Sequence, residues 1–186
     1  MNKKLKLIFP IGVVIITIIF TIVLCINIQM KDKQFIEDYP QLKDENVIIK
    51  YTTIDEVMEL IESKYSGIIV YGFKQCPWCQ AVVPYVNEIA IEKGYTNVLY
   101  LDIKDMRDNP DSLEKEKYNQ LFNQIREKIG NPEKIFAPTI TVLKDGKITS
   151  YSTGTVDSHQ INENHVLPPM TEEQIMELRQ LFRKMF

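Results

Sequence analysis

Cysteine is scarce in this chain, with three in 186 residues. Cys25 stands in a long apolar run, so sulfur chemistry in the rest of the chain is confined to Cys76 and Cys79. Histidine is scarcer still: a zinc site completed by histidines around that pair would draw on His159 and His165, the two that the sequence has. Basic charge is not in excess either. Of 22 Lys+Arg, three (Lys3, Lys4, Lys6) precede the apolar run and none of the 25 Asp+Glu do, which leaves 19 against 25, a formal charge of −6. That balance argues against nucleic acid or an anionic bilayer surface as the main partner. Internal repeats and low-complexity stretches are absent as well.

Charge is missing altogether from residues 7–28. At about 1.5 Å of helix rise per residue, ~20 such residues match a hydrocarbon core of ~30 Å. The sequence therefore divides into a cytoplasmic N-terminus (1–6), a transmembrane anchor (7–28), a linker (29–46) that is polar, holds Pro40, lacks a core pattern and has room for a short helical piece, and one α/β domain (47–186). A cleaved secretory signal is the competing reading, but no small-x-small site follows the run. Lipidation at Cys25 is a third; such sites want small residues before the cysteine, and Val23 and Leu24 stand there. Lysines before the span predict a cytoplasmic N-terminus, hence a cell-membrane protein whose domain lies on the extracytoplasmic side.

Within the domain, apolar periodicity predicts strands at 47–51, 67–73, 97–103, 139–143 and 148–152. Helical spacing predicts helices at 53–64 with Thr53 as N-cap, from the cysteine pair to about Lys93, at 112–129 and from Thr171 onward. The stripe of the third is Leu113, Tyr118, Leu121, Phe122 and Ile125. Thr171-Glu172-Glu173-Gln174 reads as a capping box, and Lys144-Asp145-Gly146-Lys147 as a hairpin turn. The cysteine helix then becomes the crossover between two parallel strands, a β-α-β unit.

The cysteines stand in Gln75-Cys76-Pro77-Trp78-Cys79, behind a buried strand. Cys76 at the helix N-cap would meet free backbone N–H groups and the positive end of the helix dipole, which favour a thiolate. Pro77 suits the first helical position, where its missing N–H costs nothing. Cys79, one turn on, is placed to attack a mixed disulfide formed at Cys76. That makes Cys76 the nucleophile and Cys79 the resolving thiol. Lys74 either adds positive potential or is simply solvated; Trp78 either shapes a substrate-binding rim or packs locally. Half a zinc site is the competing reading of the pair, with His159 and His165, otherwise solvated loop residues, as the remaining ligands. Ala137-Pro138-Thr139 precedes a strand, where proline is unusual. A cis Pro138 would bring the Ala137 backbone near Cys76, where a substrate strand could pair with it.

With those elements in that order, residues 47–186 resemble the thioredoxin-like superfamily. Pro84 lies eight residues after Cys76, and Gly146 and Gly154 lie eight and sixteen after Pro138, as in the thioredoxin pattern. The resemblance implies a thioredoxin-like fold, a central mixed β-sheet flanked by helices. It also implies a membrane-anchored thiol–disulfide oxidoreductase, with a redox-active Cys76–Cys79 disulfide and no cofactor or metal. Trp78, Ala137, Pro138 and Thr139 would touch substrate. The anchored layout is similar to bacteriocin transport accessory proteins, which implies exported proteins or peptides as partners, with a membrane redox partner or peptide transporter beside them. Three departures stand out: Val70 occupies the place of a buried aspartate, Gln75 that of a tryptophan, and Pro77-Trp78 is nearer the glutaredoxin Pro-Tyr than the thioredoxin Gly-Pro. The alternative is a non-catalytic binding or accessory module on the same fold, with the cysteines incidental.

Overall fold

The computed structural model describes residues 18–19, 33–42 and 46–186. Apart from Ile18 and Ile19, the expected anchor with Cys25 lies outside the described residues. Among the described residues no helix is long and apolar enough to cross a membrane.

Five strands form one mixed sheet: β1 (Ile49–Thr52), β2 (Gly67–Gly72), β3 (Val98–Asp102), β4 (Thr139–Lys144) and β5 (Lys147–Thr153), in the order β1-β3-β2-β4-β5. The first three run parallel, and β4 and β5 join antiparallel. All six residues of β2 are buried, as the lack of polar alternation in its sequence predicts for a central strand. Its side chains divide between two cores: Ile68 and Val70 face one, Ile69 and Tyr71 the other. Helices accordingly cover both faces, the arrangement that the thioredoxin resemblance implies.

On the first face lie α3 (Pro77–Glu92) and α6 (Glu172–Met185), packed through Val82, Val86, Leu178 and Phe182. Arg179 and Arg183 fork onto Glu88 and Glu92 across that seam at 2.8–3.1 Å. These half-exposed pairs set register more than stability. On the second face lie α2 (Ile54–Glu62), α4 (Lys104–Asp108) and α5 (Lys115–Ile125), which bury Val57, Met106, Tyr118 and Leu121. Thr53 caps α2 and Thr171 closes its capping box with Gln174. The β4–β5 hairpin turns through Asp145 (φ 51°) and Gly146 (φ 75°), both left-handed, as a two-residue turn matched to strand twist demands.

Three expectations need correction. The linker stretch does hold the short helical piece that its sequence allows, α1 (33–38), followed by a 3-10 turn at Pro40–Leu42, but it is not a linker in its packing. Phe35, Tyr39 and Leu42 of that stretch are wholly buried in the first core. Their spacing places all three against the sheet, where Phe35 stacks on Tyr39 (4.8 Å) and meets Tyr51 and Tyr100 edge-on (4.9 and 5.3 Å). The helix expected at 112–129 is α5 followed by a 3-10 turn at Arg126–Ile129. It begins at Lys115, so Leu113 falls in the preceding turn and is fully exposed rather than part of the buried stripe. His159, expected in solvent, is 2% exposed. Its Nε2 meets Pro168 O at 2.7 Å and its Nδ1 the Thr155 hydroxyl at 2.9 Å. A carbonyl only accepts, so Nε2 carries the proton, and the ring straps the 155–168 loop to itself.

Candidate redox site

The site forms where β2 ends and α3 begins. Cys76 is the N-cap of α3, with Pro77 next to it at the helix start, and the Cys79 backbone N–H donates to Cys76 Sγ at 3.3 Å. The Ala137–Pro138 peptide is cis, and the Ala137 carbonyl accepts from the Cys76 thiol at 3.2 Å. Gly154 N–H donates to Pro138 O at 2.9 Å, which ties the end of β5 to the same corner. The structure thus brings Cys76, Cys79, Ala137 and Pro138 together. Thr139 is buried and its hydroxyl donates to Phe136 O at 2.8 Å, so it shapes the turn from inside. Trp78 is half-buried against the core beside the sulfurs.

The two thiols differ sharply. The largest influence on Cys76 is its hydrogen bond with the Cys79 thiol, which lowers it to about 7 against opposition from burial. Backbone N–H groups of Cys79 and Trp78, and then the Arg107 charge, push the same way. Cys79 is wholly buried, and that burial, followed by the hydrogen bond and charge of Cys76, holds its thiol well above the usual range. A thiolate is therefore available at the 4%-exposed outer sulfur at neutral pH, while the inner one keeps its proton.

Lys74 does not supply the positive potential. Its Nζ pairs with Asp38 at 2.8 Å, and Asp38 also accepts from the Tyr51 hydroxyl at 2.8 Å. Arg107 supplies it instead. It lies 5.2 Å over the Phe73 ring, donates to Ile135 O at 3.3 Å and pairs with Asp108 at 2.7 Å. Sequence reading missed Arg107 because α4 has five residues, too few for a periodic pattern. Its position just after the carboxyl end of a parallel strand, where such sheets place their sites, is the signal that was there. Phe136, 42% exposed next to Ala137, is a second rim residue that was missed.

Beside the outer face of α3 runs an open groove of about 720 Å³, lined by Pro77, Ala81, Pro84, Tyr85, Leu167 and Met170. His159 holds its far wall through Pro168. Among the described residues no group of three or more His, Cys, Asp or Glu side chains is placed to hold a metal ion. His165 stands exposed in its loop, so the four-ligand arrangement with both histidines is not assembled.

No protein-family model matches the chain, and no curated protein sequence matches it. Solved structures similar to it include thioredoxin O2 from Arabidopsis thaliana, 16% identical over 59% of this chain and 84% of that one, with a TM-score of 0.39. Chloroplastic thioredoxin z is 18% identical over 75% and 98%, TM-score 0.38. The thioredoxin of Fasciola hepatica is 18% identical over 76% and 100%, TM-score 0.38. These likenesses concern chain path; the chemistry rests on the cysteine pair itself.

Proposed function

We propose that this protein is a thiol–disulfide oxidoreductase, tethered by its N-terminal segment and facing the extracytoplasmic side, that acts on exported proteins or peptides. The observation that carries the reading is the asymmetry of the pair: an outer sulfur lowered to about 7 at a helix N-cap, with a buried protonated partner one turn behind it. Structural cysteines buried in a core have no need of that difference.

In the reducing direction Cys76 thiolate attacks a substrate disulfide in line, forming the Cys76–substrate bond and releasing one substrate thiolate. Cys79 then attacks Cys76 Sγ; the intramolecular disulfide forms, the bond to substrate breaks, and the proton from Cys79 ends on the departing sulfur. Oxidation of substrate is the same sequence reversed. The Ala137 carbonyl, now 3.2 Å from Cys76 Sγ, marks where substrate backbone would lie. No cofactor beyond the cysteine pair enters these steps. The cysteine motif and the anchored layout expected from the sequence, which resemble those of bacteriocin transport accessory proteins, are what point to small exported peptides as the substrate class, with a membrane redox partner or peptide transporter as the proposed partner.

The test is the reduction potential of the Cys76–Cys79 couple, by alkylation in defined glutathione buffers. A value of about −180 mV or higher marks an oxidant or isomerase, and one near about −270 mV a reductase. No redox transition at all would overturn the reading. Labelling of Cys76 in intact cells with a membrane-impermeant maleimide tests its placement; protection until lysis would contradict the outer-face location.

A further inference from the structure

Resolution of a mixed disulfide requires Cys79 to release a proton from a position with 0% exposure. Its surroundings are poor in groups to help. The adjoining residues of β2 include Val70 and Gly72, neither of which has a polar side chain. The neighbouring strand β3 presents Tyr100. Gly72 is where the sulfur and the tyrosine converge: a methyl group there would lie 2.9 Å from Cys79 Sγ and would also overlap the Tyr100 hydroxyl. Only glycine leaves them room to face each other. The Tyr100 hydroxyl and the Cys79 sulfur thus both border the space above Gly72, and the hydroxyl acts to favour the Cys79 thiolate.

Behind Tyr100 stands Tyr39, and the two buried hydroxyls share a short hydrogen bond. Their rings are fixed: Tyr100 packs edge-on against Phe35 and at 90° to Tyr51, with centroids at 5.3 and 5.5 Å. The charged and titratable groups around the two tyrosines are Cys79, Tyr51 on β1, Asp102 at the end of β3 and, next to Tyr51, Asp38 at the end of α1. Asp38 is occupied by Tyr51 and Lys74.

We infer that Tyr100, held and polarised by Tyr39, donates the hydrogen bond that stabilises the Cys79 thiolate as it attacks the mixed disulfide at Cys76. This rests on the oxidoreductase reading above. Tyr100 keeps its own proton; the proton of Cys79 finishes on the departing substrate sulfur, so bonds and charges balance. A donor aimed at a sulfur anion in a dry pocket meets little competition from water; Tyr100 has one O–H proton, so when it turns to the sulfur its oxygen is left to accept from Tyr39, which strengthens it as a donor.

The test is stepwise release of nitrothiobenzoate from dithiobis(nitrobenzoate) by the reduced full-length protein. The first release reports attack by Cys76, the second resolution by Cys79. Tyr100→Phe keeps the ring packing and should slow the second release about tenfold or more at neutral pH, the effect expected for loss of a charge-assisted hydrogen bond. The pH midpoint of that step should move upward, a change that loosened packing alone would not produce. The first release should keep its pH midpoint. Tyr39→Phe leaves the Tyr100 donor in place and should slow the second step by less; it carries the test if Tyr100→Phe fails to fold. An unchanged second release in the folded variants would overturn the inference. A wild-type protein that gives one release and never the second would sink the oxidoreductase reading and this inference with it.

Discussion

Replacing Cys79 by alanine tests the electrostatics of the outer sulfur most directly. The hydrogen bond from the Cys79 thiol is the largest of the influences that lower Cys76 to about 7, ahead of the backbone N–H groups and Arg107. A hydrogen bond to a charged group is worth about 1.5–3 kcal/mol, or about one to two pKa units. Because the Cys79 and Trp78 backbone N–H groups stay in place to share the charge, the effect falls near the lower end, about one unit. At pH 7 the thiolate fraction should then fall from about one half to about one tenth. Nucleophilicity rises with pKa (Brønsted slope about 0.4–0.5), which returns roughly a factor of three and leaves a net rate loss of only about twofold. The informative measurement is thus the midpoint of iodoacetamide alkylation against pH, not the rate at one pH. Cys79→Ala should move that midpoint up by about one unit, and Cys79→Ser, which restores a donor, should bring much of it back. A Cys79→Ala midpoint that stays near 7 would refute the reasoning and transfer the effect to the N-cap geometry.

Arg107→Gln should raise the Cys76 midpoint by less than Cys79→Ala does, since its charge ranks last among the stated influences; a larger rise in the same alkylation assay would reverse that order. The reduced protein should gain stability over a Cys76→Ala variant as pH rises from about 7 towards 9: the folded thiol lies below its unfolded value, so the unfolded chain binds more protons in that window and the gain is lost as pH falls through 7. Urea titrations of both proteins at three pH values would show it, and a gap that shrinks with rising pH would contradict the sign. Phe35→Ala should cost about 3–5 kcal/mol in urea unfolding, as for other buried aromatics, whereas a linker residue would cost almost nothing.

Much of this was legible in the sequence, for identifiable reasons. The five strands, the hairpin and three of the four expected helices are long or punctuated enough for periodicity, caps and glycine to place them within a few residues. The N-cap position of Cys76 followed from Pro77 and the buried strand before it, and the cis peptide at Pro138 is as expected. Part of what was missed depends on contacts between segments distant in sequence, and part on local signals too short to read. Tyr39 and Tyr100 lie 61 residues apart and meet only because β3 sits between β1 and β2. Lys74 looked like the cation for Cys76 because sequence proximity cannot show that Asp38 claims it. Phe35, Tyr39 and Leu42 did carry a helical signal, at i, i+4 and i+7, but too few residues surround them for it to stand out from a polar stretch. The burial of His159 had no signal at all, since Thr155 and Pro168 reach it through the fold of one irregular loop.

The aromatic contacts of Phe35 and Tyr39 change where this molecule can be cut. A boundary at β1, the natural place from strand pattern alone, would discard both side chains together with Leu42 and Asp38. It would open a hollow behind Tyr100 and take from Lys74 its Asp38 partner. The smallest unit that keeps the environment of Cys79 intact begins no later than residue 33. Residues 33–42 are thus part of the domain and not a lead-in to it.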